Sequence, residues 1–442
     1  MLATWRRHRE RLLRLGSHTI WSAAGHFVNL GVQRLVFFPV LALLISEDAF
    51  GTFLIALGLV NMIGLAPSNG LMAHVLRDAA KYEPADQRLL IRTSTIMTAL
   101  ATLPIAVGLA VAAPWIAGAY GIATLAPQVV ILSLYLLVLN VTETILCIQR
   151  VRRDFRYIAL VHTSQGLLVF TALPLLPIMG LLAIPVGHVI GAAATLIFQL
   201  AHRRDELLER PYFARRLARD AFATWWPMSL STLALGSAGY LDRLLLGLWW
   251  PERDVATFFA AVGTAAVFSV PGAVLSSVIL SLLARFERAS ALSRSLYFGY
   301  AIGIVVFSAL MGVLGVLLGP TFIGILYPRM YEDALPLWSF AVWAAVVTNL
   351  HALARPFIVK FLAISWVPAL AYFGLAARVV PLLLLVPSGG QRGAVQAMLI
   401  GSAIASAAWY ALYVYKLVLR SPKPPTDGHG GASAEVIGDA TE

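Results

Sequence analysis

The sequence predicts an all-α polytopic membrane protein: twelve transmembrane helices in two pseudo-symmetric six-helix lobes around a central cleft. Three observations carry this expectation. Apolar stretches of membrane-spanning length recur along the chain, the cations between them gather on alternate loops, and the second half of the chain echoes the first.

Of the 442 residues, 59% are hydrophobic and only 12% are Asp, Glu, Lys or Arg, against about a quarter charged in an ordinary soluble domain. Segments of 18 or more apolar residues can each cross ~30 Å of hydrocarbon as a helix. They fall at 18–44, 50–75, 93–113, 123–148, 157–176, 181–201, 221–248, 255–283, 296–318, 334–354, 361–385 and 394–418. Prolines 39, 67, 104, 174, 185, 271 and 368 lie inside them. A membrane helix tolerates proline where a neighbour satisfies the freed carbonyl. The boundary at 176–181, PLLPIMG, requires a tight hairpin turn, because one long span there would reverse everything downstream.

The formal charge is +11. Such an excess ordinarily points to nucleic acid, but the cations recur on one side of successive spans, which excludes that partner. Loops on that side hold 27 of the 33 Lys and Arg residues, from Arg6 and Arg7 to Lys416, Arg420 and Lys423. The opposite loops hold Arg253, Arg329 and Arg392 beside Glu47, Asp48, Glu252, Asp254, Glu332 and Asp333. The positive-inside rule accounts for this split with an even number of spans and places both termini in the cytoplasm. Cys147 is the only cysteine, so no intrachain disulfide forms, and a buried thiol is its expected role.

Residues 1–16 form a basic cytoplasmic segment that lacks a secretory h-region or cleavage site, so the first span is expected to be retained as an anchor. Its arginines either hold a short helix on anionic membrane lipids or serve as a topogenic tail. The lobes are expected at 17–201 and 221–418, joined by a basic cytoplasmic linker at 202–220. Residues 419–442, rich in Pro, Gly and small polar residues, are expected to be disordered.

The duplication rests on two echoes. Arg34 sits in GVQRLVFFPVLALLISEDAFGTF and Arg243 in GYLDRLLLGLWWPERDVATFF, about 209 residues further on. Each has an arginine, an apolar half-span, an acidic turn, then Thr-Phe opening the next helix. APWIAGAYGIATLAP after span 3 likewise echoes GPTFIGILYPRMYEDALP after span 9. Repeats of six spans are parallel, related by an axis along the membrane normal, and suit two bundles rocking about the cleft.

Ionised side chains in hydrocarbon cost at least ~2.5–3.5 kcal/mol each, so the few inside spans mark a wet cavity, an ion pair or a headgroup. Arg34 lies near the middle of span 1, and two readings stand for it: lining of a transport cleft, or an inter-helix ion pair that locks packing. Arg243, Asp242 and Arg378 lie nearer the opposite surface. Asp242 pairs either with Arg378 inside its lobe or with Arg34 across the cleft, where its protonation would gate. Glu143 and His162 fall at one depth on spans 4 and 5, as a proton-carrying pair or a structural one. His26, Asn29, Gln33 and Arg34 form a polar stripe on span 1, and Asn61 and Asn69 a lesser one on span 2. His188 and His351 are read as packing histidines.

No phosphate-binding glycine loop, metal-ligand spacing or nucleophile elbow is present, so the chain is not expected to be an enzyme or to need a cofactor or metal. Transport driven by an H+ or Na+ gradient, by membrane potential or by the substrate's own gradient remains. Buried guanidinium forks suit a lipid-linked pyrophosphate and would repel the cationic compounds that multidrug antiporters export.

In SEDAFGTFLIALGLVNMIGLAPSNGL, CIQRVRRDFRYIALVHTSQG, YLDRLLLG and GILYPRMYEDALPLW, within a stretch from about 16 to 418, the sequence resembles the oligosaccharide and polysaccharide flippases of the multidrug/oligosaccharidyl-lipid/polysaccharide exporter superfamily. The resemblance implies an inner-membrane carrier of undecaprenyl-pyrophosphate-linked oligosaccharide for O-antigen, capsule or exopolysaccharide, working beside a polysaccharide polymerase, ligase or glycosyltransferases. It also implies paired lobes in a V with Arg34, Arg243 and Arg378 as cleft residues and Asp242 at the family's acidic position in span 7. Related lipid II flippases carry two further helices, which are not found here. A multidrug-type antiporter and a structural partner of a polysaccharide assembly complex are the alternatives.

Overall fold

The computed structural model describes residues 31–64, 66–79, 82–152, 154–283, 293–363 and 365–419. Nearly all of them are helical, in twelve successive spans. α1 is a π-helical turn, Val32–Phe37, continuing as Phe38–Leu44. α2 comprises Glu47–Gly64 and Ala66–Asp78, with Pro67 inside its second part. α3 is Pro84–Tyr120 and α4 is Leu125–Arg152. α5 runs through Phe155–Leu168 and Ala172–Met179, and α6 is Ala183–His202. α7 is Arg215–Trp249, and α8 comprises Glu252–Ala265 and Val270–Leu283. α9 is Arg294–Leu326 and α10 is Tyr331–Phe361. Residues 366–389 form α11 and 391–419 form α12. Among the described residues eight stretches are long and apolar enough to cross a membrane, two of them hairpins of 48 and 54 residues. α1 is shorter, and α7 is diluted by Ser229, Ser231, Asp242 and Arg243, all buried. α7 tolerates these residues because around them it packs against helices of both lobes.

The hairpin expected at 176–181 is present. Gly180 reverses the chain with φ 58° and ψ −142°, and Gly390 does the same between α11 and α12 with φ 53° and ψ −133°. Both angles lie where a side chain is strained, so glycine is required at both turns. Their separation matches, to within one residue, that of Arg34 and Arg243. The duplication is therefore present in backbone geometry as well as in sequence.

α1–α6 form one lobe and α7–α12 the other, with α2 and α7 running along the seam. The end that carries the cationic loops is called the basic end, the opposite one the far end. At the far end the lobes meet closely: the Gly51 backbone lies against the Glu252 carbonyl, leaving no room for a Cβ. Phe38 of α1 meets Phe259 of α8 edge-on at 5.4 Å, and Phe259 also meets Phe50 at 6.0 Å. Tyr120 donates to the Leu244 carbonyl across the seam at 3.1 Å.

At the basic end the linker is strapped to the first lobe. Arg92 of α3 donates to the Glu209 and Pro211 carbonyls and pairs with the Glu209 carboxylate at 3.0 Å. Arg152 pairs with Glu206 at 2.7 Å, and Arg203 reaches Asp154 at 3.6 Å. Several cations of the basic loops thus hold the fold together as well as setting its charge.

Asn140, fully buried on α4, ties α2 and α3 to its own helix. Its amide donates to the Gly64 carbonyl at 2.6 Å and to Thr102 at 3.2 Å, while its oxygen accepts from Ser68 at 2.6 Å. Replacement by leucine would leave three buried partners unmet. N140L is expected to lose ~1–3 kcal/mol and to melt below the parent in detergent; an unchanged melting curve would show that the network adds nothing.

Candidate functional site

The site is built on the seam where α1 and α7 approach below the far-end aromatic contacts. Phe37 turns into its own lobe, edge-on to Phe170 at 5.4 Å and beside His188 at 5.7 Å, whereas the adjacent Phe38 meets α8. Arg34, one turn nearer the basic end, lies within electrostatic range of Arg243, and in the neighbourhood of Tyr240 and Tyr327, all of the other lobe. It sits in the π-helical turn Val32–Phe37, a form of helix frequent at functional sites. Its side chain is half-buried.

Arg243 enters from α7. Its guanidinium carbon lies 5.1 Å from the Tyr240 ring centroid and 5.3 Å from that of Phe259. Gly58 of α2 makes room for its stem, since a Cβ there would stand 3.0 Å from Arg243 Cδ. Arg243 is 8% exposed, and its Nε has no hydrogen-bond partner among the described residues. Cation–π contacts return ~0.5–2 kcal/mol, less than the cost of holding a guanidinium in hydrocarbon. Among the described residues neither Arg34 nor Arg243 has a carboxylate partner, and two like charges, one from each lobe, lie within electrostatic range of one another.

Asp242 and Arg378 behave differently. Arg378 on α11 donates to Asp242 at 2.8 Å and to Ser402 on α12 at 3.3 Å. The pair is buried within the second lobe. Of the two pairings open in the sequence, the intralobe one is present and the one across to Arg34 is not. Adjacent residues on a helix point about 100° apart, which is how Asp242 faces its own lobe while Arg243 faces the seam.

Glu143 and His162 meet as their depths suggest, with His162 Nδ1 3.7 Å from Glu143 Oε1, but Arg150 also binds Glu143 at 3.0 Å. This triad lies inside the first lobe. Gln33 is half-buried and engaged; Asn29 and His26 lie outside the described residues. His188 bonds the Ile184 carbonyl at 3.0 Å and is ringed by aromatics, and His351 meets Ser406 at 3.3 Å. Cys147 is fully buried. Tyr240, Phe259 and Tyr327 were not singled out from sequence. Tyr240 precedes Arg243 by three residues, the spacing that puts both on one helix face. The position of Tyr327 depends on how the lobes meet, which no local pattern encodes.

Comparison with solved structures finds the same fold in a multidrug resistance MATE family transporter of the MOP superfamily. Its outward-facing form gives a TM-score of 0.68 at 14% identity, covering 92% of this chain and 96% of that one. Its inward-facing form gives 0.67 at 14% identity, with 91% and 94% covered. A MOP superfamily transporter from Pyrococcus furiosus Vc1 (DSM3638), whose binding pocket is described as of reverse polarity, gives 0.67 at 14% identity, with 92% and 96% covered. A search of curated protein sequences gave no match. A family model described as polysaccharide biosynthesis protein matches residues 15–286. With that match over more than half its length, the chain belongs to the polysaccharide biosynthesis protein family, and its fold is that of the transporters above.

Proposed function

We propose that this transporter carries a lipid-linked oligosaccharide, through its pyrophosphate, from the inner to the outer leaflet of the bacterial cytoplasmic membrane, for O-antigen, capsule or exopolysaccharide synthesis. The observation that supports it best is the pair Arg34 and Arg243, one from each lobe, within electrostatic range at the seam and with no carboxylate partner among the described residues. A pyrophosphate supplies the missing charge, and planar guanidinium forks match its oxygens. With the basic end cytoplasmic by the positive-inside rule, the far-end contacts describe a state closed toward the outside. The two arginines separate when the lobes part at the far end, so an anion bridging both favours this state and is released by the other. That differential affinity is what alternating access requires. Motion is driven by an ion gradient, membrane potential or the substrate gradient; Glu143 with His162 is the candidate for proton coupling, and Arg378, tied to Asp242, holds the second lobe rather than meeting the pyrophosphate in this state. The role is transport, with polymerase or glycosyltransferases as partners, not catalysis. Likeness to multidrug transporters at 14% identity speaks for the fold, and the uncompensated cations disfavour cationic cargo.

Substituting Arg34 or Arg243 with alanine in the native host should cut surface glycan at least ~10-fold, the loss of one charged hydrogen bond of ~1.5–3 kcal/mol, with protein level unchanged. Lysine at either site should restore part of it. Glycan undiminished in both alanine variants, at normal protein level, would overturn the proposed role. A second test addresses the motion. Phe50→Cys with Phe259→Cys, at rings that meet across the seam at 6.0 Å, should cross-link on oxidation, seen as lost labelling by a maleimide-polyethylene glycol, because Cys147 is buried. The oxidised form should stop export and recover on reduction; export unaffected by a complete cross-link would exclude opening at the far end.

A further inference from the structure

We propose that a groove between α3 and α7 at the basic end is a binding site for an anionic phospholipid. The groove has a volume of about 860 Å³ and belongs to both lobes. Leu100 on α3 and Phe222 and Trp225 on α7 form its floor, and Arg215, Arg216 and Arg219 its rim. It is distinct from the Arg34–Arg243 seam, which lies toward the far end of the same helices' lobes.

Depth identifies the medium. Counting ~1.5 Å per residue from the start of the apolar stretch 93–113, Leu100 lies ~10 Å inside the basic-end edge of the hydrocarbon core. Leu100 is 64% exposed and Phe222 52%, so the floor presents large apolar side chains sideways, toward acyl chains. The rim begins one turn further out, where headgroups lie. Phe213 and Trp226, both largely exposed beside the groove, add the aromatic belt expected at that level.

Charge selects the headgroup. The lining contains three arginines and no acid. Arg216 reaches Asp86 at 3.3 Å in an exposed pair, the kind that contributes little. Among the described residues Arg215 and Arg219 have no such partner, and the acidic Asp220 lies beside Arg219 outside the lining. α7 also starts here without a side-chain cap, so its first amides add positive potential at the same point. A soluble anion would leave the apolar floor unused, and a zwitterionic lipid would leave the rim unneutralised. An anionic phospholipid uses both. Because one wall belongs to each lobe, a lipid seated there ties the lobes at the basic end.

Native mass spectrometry of the purified full-length protein tests this, with phosphatidylglycerol and phosphatidylcholine added in equal amount after delipidation. Phosphatidylglycerol should be retained in preference, the R215A/R219A variant should hold it at least ~10-fold less, and R215K/R219K should hold it as the parent does. L100Q, which leaves every charge in place, should also weaken retention. Equal retention of the two lipids would overturn the proposal, as would undiminished phosphatidylglycerol on R215A/R219A. Displacement by glycerol phosphate alone would show that the floor contributes nothing, and preferential displacement by undecaprenyl phosphate would assign the groove to a transported lipid; either outcome removes the phospholipid assignment. None of these measurements involves glycan export, so this site and the export reading fail separately.

Discussion

Charge held where water is scarce governs this molecule. Three arginines sit deep in the spans, and each must be compensated or face a polar space. Arg378 is compensated by Asp242 at 2.8 Å. Arg34 and Arg243 are not, and they come from different lobes. An intralobe ion pair is a rivet: it moves with its bundle and reports nothing about the other. Two unneutralised cations facing one another across a seam make the seam's free energy depend on whatever anion enters it. The same residue type thus has opposite consequences according to which helix supplies its neighbour.

The duplicated backbone explains how such a seam arises. Gly180 and Gly390 adopt the same reversal at equivalent places in the two lobes, and Arg34 and Arg243 occupy equivalent first spans. Two similar bundles facing each other place equivalent residues on opposite sides of one axis. The cations are therefore brought together by the repeat itself. The lobes are not interchangeable, however. Arg243 is flanked by Asp242 and lies near the Tyr240 and Phe259 rings, while Arg34 sits in a π-helical turn and is the more open of the two.

Much of this was legible in the sequence. Span number, the hairpin at 176–181 and the duplication follow from hydropathy and echo, because hydrocarbon permits few ways to satisfy a backbone. Equal depth of Glu143 and His162 follows from helical rise, and their contact was found. What was not legible depends on rotation about helix axes and on lobe docking. Arg150 as the closer partner of Glu143 lies two turns further along the same face of α4, and its long side chain reaches back along the helix. The choice of Arg378 by Asp242 depends on the way α7 and α11 pack. Tyr327 reaches Arg34 only after the lobes close at the far end. The linker read as basic, from its arginines, proves to be fastened through its acids, Glu206 and Glu209, to Arg152 and Arg92.

The seam also explains the least membrane-like span. α7 fails a length-and-apolarity test that ten other spans pass, yet it is among the longest helices and carries Ser229, Ser231, Asp242 and Arg243 buried along it. Near its basic-end half, Ser229 and Trp225 fit against Gly70 so closely that a Cβ at Gly70 would not fit, and Trp225 donates to the Pro67 carbonyl at 3.1 Å. Near its far end Gly247 lies against Ile55 and Tyr120. A helix gripped by the opposite lobe at both ends needs little lipid-facing surface and can spend its middle on polar residues. Weak hydropathy in a span flanked by stronger ones is thus a physical marker of a seam helix. In this chain it points to the helix that carries Arg243.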